Sequence, residues 1–194
     1  MRQNEPLPTD GRRLRAVRTR ANILDALLKL LDEGHPDPTA AEIAARAGVA
    51  VRSIAQHFQT REQLLTALAE KHLSRQPHPD GALTSSPFEA RVASFVALRA
   101  SALEASVPLR RVARMAAGRS RAIAAAFREV AKKRRRELQD VFGPELSRRP
   151  AWVLDAADGV SSGAFWDTLR ETQRLSDRRA REVLEATLRA LLAV

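Results

Sequence analysis

The chain has 194 residues, 44% of them apolar, which is enough to bury the core of one large domain or of a small module joined to a larger one. It has no Cys, which excludes a disulfide framework, a thiolate nucleophile and a Cys-based zinc site and makes the reducing cytoplasm its natural setting. A formal net charge of +10, supplied almost entirely by Arg, favours a polyanion, chiefly nucleic acid, as much as it fits compositional bias in an ordinary surface.

In chain order, residues 1–13 hold Pro6, Pro8 and Gly11 and no apolar period, so they read as a flexible basic arm. They lack the apolar core of a signal peptide, and no later run is both long and uncharged enough to span a bilayer, so neither secretion nor membrane insertion is expected. From Leu14 a helix is predicted, with Val17, Ala21, Leu24, Leu28 and Leu31 at three- and four-residue steps and an end near Gly34-His35-Pro36. Thr39 is an N-cap with Glu42 three residues on completing a capping box, and the short helix that follows must stop at Gly48. A second short helix runs from Val51 to Phe58. Thr60 then caps a further one whose Leu64, Leu65 and Leu68 face inward.

A first domain is therefore expected over 14–74. The Pro-, Gly- and Ser-containing segment 75–87, RQPHPDGALTSSP, is its linker to a second helical domain over 88–194. In that domain Phe88 to Leu103, Leu109 to Ala116 and Ile123 to Leu138 each carry a helical period, broken at Gly143-Pro144. Trp152 to Leu169 and Asp177 to Leu192, the latter capped by Ser176, complete the series. No alternating strand pattern occurs, so the fold class is all-α. The last helix has one apolar stripe. The helix before it is apolar nearly all round and so is covered on two sides, either by a second subunit, whose backbone Gly159, Ser162 and Gly163 would let approach, or as the centre of a monomeric bundle.

The first two short helices, joined at Gly48-Val49-Ala50, form a helix-turn-helix. Gly48 suits the positive φ of the turn, Ala44 lets the helices cross closely, and Ile43, Val49, Ile54 and Phe58 make their shared apolar side. Val51, Arg52, Ser53, Ala55, Gln56 and His57 are left on or near the outer surface of the second helix, which has the dimensions to enter a DNA major groove.

This segment resembles the TetR family of bacterial transcription regulators. The likeness runs through Arg20 to Leu24, Thr39, Ile43-Ala44, Ala47-Gly48-Val49, Ile54, His57-Phe58 and Thr60 to Leu64, and is sharp over about residues 18–72. It implies a homodimer joined through the last two helices of each chain, with two N-terminal three-helix DNA-binding heads on two C-terminal bodies that bind ligand and dimerise. It also implies a palindromic DNA operator, usually repressed, and release when a small-molecule effector enters the C-terminal domain. By motif position Thr39, Ser53, His57 and Arg61 would contact phosphates, and Val51, Arg52 and Gln56 would lie toward base edges. Arg52 is the foremost base reader, or alternatively one more phosphate contact. Ala55 stands where the family usually has Tyr. Arg12, Arg13 and Arg15 of the arm would offset that lost contact or reach a minor groove, unless the arm is only a solvated tail.

No catalytic or metal-binding constellation is expected, and no cofactor. His35, His57, His72 and His78 lie in different segments, Asp155 with Asp158 is an isolated helix pair, and no Gly-rich loop could cradle a phosphate. The run Lys132 to Arg136 reads as a solvated face. For the effector, Phe88, Phe95, Met115, Phe127, Trp152 and Trp166 are large apolar residues in helices that would enclose a cavity. Asp155 facing inward beside Trp152 would suit a cationic or hydrogen-bonding ligand. A second reading keeps the helix-turn-helix but makes the body a dimerising or partner-recruiting platform without effector. A solvent-filled cavity separates the two.

Overall fold

The computed structural model describes residues 9–74, 81–117 and 120–193; within these, the side chains of His72 and Met115 are among those that are not described. The described residues form helices and no strand, so the chain is all-α. The order is α1 Thr9–Asp32, α2 Ala40–Ala47, α3 Val51–His57, α4 Arg61–Ser74, α5 Gly81–Thr84, α6 Phe88–Ala105, α7 Val107–Ala117, α8 Arg121–Leu146, α9 Trp152–Val160, α10 Gly163–Asp167, a π-helical turn Thr168–Thr172, and α11 Asp177–Leu192.

Two cores organise these helices. In the first, Ile23, Leu27, Leu30 and Leu31 of α1 pack on Ile43 and Ala44 of α2, Ile54 and Phe58 around α3, and Leu64 and Leu68 of α4. The core does not stop at α4, because Leu109 and Val112 of α7 and Ile123 of α8 close its underside. In the second, Phe95 of α6, Leu138 and Phe142 of α8, Val153 of α9, Trp166 of α10 and Leu184 and Leu188 of α11 form the body.

Several elements depart from the periodic reading. Helix α1 begins at Thr9 rather than Leu14, so the helix extends back into the stretch expected as an arm; residues 1–8 lie outside the described residues. Leu14 and Val17 are exposed there, and the buried stripe runs instead from Ile23 to Leu31. In the expected linker, residues 81–84 are helical as α5 and residues 75–80 are not described. Gly143-Pro144 bends α8 but does not end it. Phe142 leaves helical geometry at φ −119° and ψ 21°, because a Pro supplies no N–H and its ring crowds the preceding turn. Arg91 stabilises this kink, donating to the Val141 carbonyl at 2.6 Å and pairing with Glu145 at 2.5 Å.

The expected helix from Trp152 to Leu169 is broken at Ser161-Ser162. Ser162 takes extended geometry and its hydroxyl accepts from the Phe165 N–H, starting α10 as a new helix. Ser176 caps α11 in the same way through the Arg179 N–H.

Candidate nucleic-acid interface and internal cavity

The helix-turn-helix is built as its local chemistry requires. Thr39 Oγ1 accepts from the Glu42 N–H at 3.2 Å, and the Thr39 N–H donates back to Glu42 Oε2 at 2.7 Å. That amide, together with the Thr39 hydroxyl donating to the same oxygen at 2.8 Å, holds the Glu42 carboxyl below its ordinary range. At the other end Gly48 sits at φ 66° and ψ 35°, and the Val49 N–H reaches the Ala44 carbonyl at 3.0 Å, closing the turn. Ile43 and Ala44 of α2 and Ile54 and Phe58 are buried, which aims the opposite face of α3 outward. Replacing Thr39 by Ala should cost about 1 kcal/mol of stability through loss of this cap; thermal unfolding followed by circular dichroism measures it.

Val51, Arg52 and Gln56 share that outward face and are exposed, while Ser53 and His57 flank it half-buried. Thr39 and Arg61 are engaged within the chain. The Thr39 hydroxyl and amide are both taken up by Glu42, and Arg61 pairs with Asp37 and donates to the Pro38 carbonyl at 2.9 Å, tying α4 to the loop before α2. Two residues outside the sequence-derived set support the helix-turn-helix from behind. Arg20 stacks over the Phe58 ring at 4.5 Å, and Arg46 forms a two-pronged pair with Glu33, 2.7 Å on each arm.

Beneath α4 lies a partly open cavity of about 430 Å³. Leu65, Thr66 and Ala69 of α4 form its roof; Phe95, Leu98 and Arg99 of α6, Leu109 and Arg110 of α7, and Ile123 and Phe127 of α8 form its walls. Glu62, in the first turn of α4, accepts from the Ser120 hydroxyl, and Ser120 itself caps α8 through the Ile123 N–H at 3.0 Å. The roof of the cavity and the base of the helix-turn-helix are thus one element.

The residues singled out for a pocket are scattered. Phe95 and Phe127 line the cavity, whereas Trp166 is fully buried in the body core and donates its indole N–H to Glu104 at 2.8 Å. The Met115 side chain lies outside the described residues. Trp152 is 60% exposed, and Asp155 does not face inward: its side chain is 66% exposed and paired with Arg135 at 2.7 Å. A cationic ligand held by Asp155 is therefore not supported.

What sequence reasoning missed is the polar lining. The run Lys132 to Arg136 is not simply a solvated face, because Lys133 and Arg134 turn into the cavity and Arg134 makes a two-pronged bond to Asp158 at 2.6 and 3.0 Å. Arg110 is wedged against Gly163, where an added Cβ would lie 2.5 Å from Arg110 Cδ. The small residue expected to admit a second subunit instead makes room for a side chain of the same chain.

Among the described residues no group of three His, Cys, Asp or Glu side chains could hold a metal, and no helix is long and apolar enough to cross a membrane.

Residues 23–68 match the model of the family described as bacterial regulatory proteins, tetR family. None of the curated proteins matches the chain. Among solved structures the fold is similar to that of a TetR transcription regulator from Haloarcula marismortui, with 17% identity, a TM-score of 0.68, and 90% of this chain and 98% of that one covered. It is also similar to a TetR-family transcriptional regulator from Mesorhizobium loti, with 18% identity, a TM-score of 0.64 and coverage of 92% and 97%. A multidrug-binding protein, EbrR, complexed with imidazole, is similar at 21% identity and a TM-score of 0.62, with 90% of each chain covered. At these identities the likeness is one of fold.

Proposed function

The chain belongs to the tetR family of bacterial regulatory proteins and is a DNA-binding transcriptional regulator, and on that premise we propose that it is a cytoplasmic repressor released from its operator by a small molecule. In this reading residues 14–74 are the DNA-binding head and residues 88–194 the body that senses the effector and dimerises. The observation that carries it is the cavity of about 430 Å³ under α4, within the range of about 300–1,000 Å³ usual for small-ligand sites. An effector seated against Leu65, Thr66 and Ala69 pushes on α4. Because Leu64 and Leu68 of the same helix pack in the core of the head, that displacement is passed to α3. A platform without effector would have no use for an apolar space at this junction.

The operator is palindromic in this reading because two heads are related by a twofold axis. The dimer forms through α9 and α11. Exposed Trp152, exposed Gly159 and the half-buried Val183 and Leu191 supply apolar surface there that the monomer leaves uncovered.

On α3, Arg52 reads a base edge, with Val51 and Gln56 beside it and Ser53 and His57 against phosphates. The test is binding to labelled DNA from upstream of the chain's own gene, with scrambled competitor. Arg52→Ala should lose about 1 to 3 kcal/mol, roughly 5- to 150-fold, at the specific site and almost nothing on scrambled DNA. Footprints should show two half-sites about one helical turn apart, or a multiple of it. Equal loss on both DNAs would make Arg52 a phosphate contact, and a single protected half-site would remove the palindrome.

A further inference from the structure

The cavity is apolar over most of its wall, yet its charges do not balance. Arg99, Arg110, Arg114, Lys133 and Arg134 line it, against a single lining acid, Glu137. Behind the wall, Asp158 pairs with Arg134. Asp167 is shared by Arg110 and Arg114, Glu137 pairs with Lys133 at 3.8 Å, and the Arg99 guanidinium comes no closer to Glu137 than 3.6 Å, beyond hydrogen-bonding distance. With Lys133 and Glu137 set against each other, Arg99, Arg110, Arg114 and Arg134 face only Asp158 and Asp167, an excess of two positive charges among the described residues. This excess borders a space from which bulk water is partly withdrawn, where unbalanced charge is costly.

Arg99 is the most exposed to that imbalance. Its Nε donates to the Ser161 carbonyl at 3.0 Å, its side chain is largely buried, and burial together with repulsion from Arg134 brings its pKa down to about 10. Thr66 in the roof has a buried hydroxyl with no hydrogen-bond partner, so the α4 side holds unused polar capacity as well.

We propose that the effector is an organic anion with an apolar body, its acid group held at Arg99 beside Arg110 and its apolar part lying toward Phe127, Ile123 and Leu65. This rests on the reading of the cavity as the effector site and adds the ligand's charge to it. A neutral ligand would leave the excess unanswered, and a cation would add to it.

The test uses the full chain and three probes of equal length, decanoate, decanol and decylammonium, titrated by calorimetry. Decanoate should bind at least about tenfold more tightly than the other two, the worth of one bond to a charged group. Arg99→Gln should abolish that preference and leave decanol unchanged. Arg114 is half exposed and leaves Asp167 paired with Arg110 when removed, so Arg114→Gln should fold even if the first variant does not, and should narrow the preference several-fold. Equal binding of decanoate and decanol, or preference for decylammonium, would overturn the anionic effector and leave the ligand-released repressor standing. Absence of binding by all three would overturn both.

Discussion

Replacing Phe142 with Ala should lower the free energy of unfolding by about 3 to 5 kcal/mol, the cost of deleting a large ring from a filled core together with the void it leaves. Phe142 is fully buried and lies edge-on to Phe95 at 5.4 Å and to Phe88 at 6.4 Å, so its loss takes two aromatic contacts with it. The site cannot collapse readily. Phe142 sits at the non-helical step before Gly143-Pro144, and Arg91 pins the neighbouring carbonyl of Val141 from the other side. A chemical denaturation curve measures the effect. An Ala variant within about 1 kcal/mol of the parent would mean that α8 straightens or shifts to fill the gap, contrary to a rigid kink.

Replacing Asp167 with Ala should cost about 3 kcal/mol, the lower end of what removal of one partner from a buried ion pair costs. Asp167 is buried and answers both Arg110 and Arg114, and Arg110 also donates to the Leu103 carbonyl and the Ser106 hydroxyl. Deleting the carboxylate strands the Arg110 charge against the cavity. The lower end applies because Arg110 faces that space and water can reach it. For a chain of this size about 3 kcal/mol corresponds to a fall in Tm of roughly 6 to 12 °C. The same variant raises the excess positive charge by one, so a bound organic acid should recover more stability in it than in the parent. Thermal scans with and without decanoate measure both effects, and a variant destabilised but not rescued would separate the structural role of Asp167 from the charge of the cavity.

The helix-turn-helix was legible because its signals are local. A capping box needs only Thr39 and Glu42 at three-residue spacing, and the turn needs a residue that tolerates positive φ, which Gly48 supplies. Ile43, Ile54 and Phe58 mark the buried side by period alone, so the exposed side with Arg52 and Gln56 follows. The same kind of signal located α6, α7 and α11 and the caps at Thr60 and Ser176.

Where reading failed, the deciding partner lay far along the chain. A run of five basic residues on α8 has the composition of a solvated surface, and only the approach of α9, bringing Asp158 to Arg134, turns part of it inward. Asp155, three residues before Asp158, is carried by that approach to the outside. Gly163 reads as room for a neighbouring backbone, but the packing of α10 against α7 fills it with Arg110.

By itself, then, the sequence determined the two helices of the helix-turn-helix and their caps, the places of α6, α7 and α11, and which face of α3 is left exposed, because each of these depends on residues within one or two turns of one another. The tertiary structure decided that a cavity exists beneath α4, that its lining carries an excess of cations, and that Trp166 is core while Phe127 is wall. Periodicity tells which side chains share a face of a helix, but what covers that face, and with what charge, is set by helices dozens of residues away.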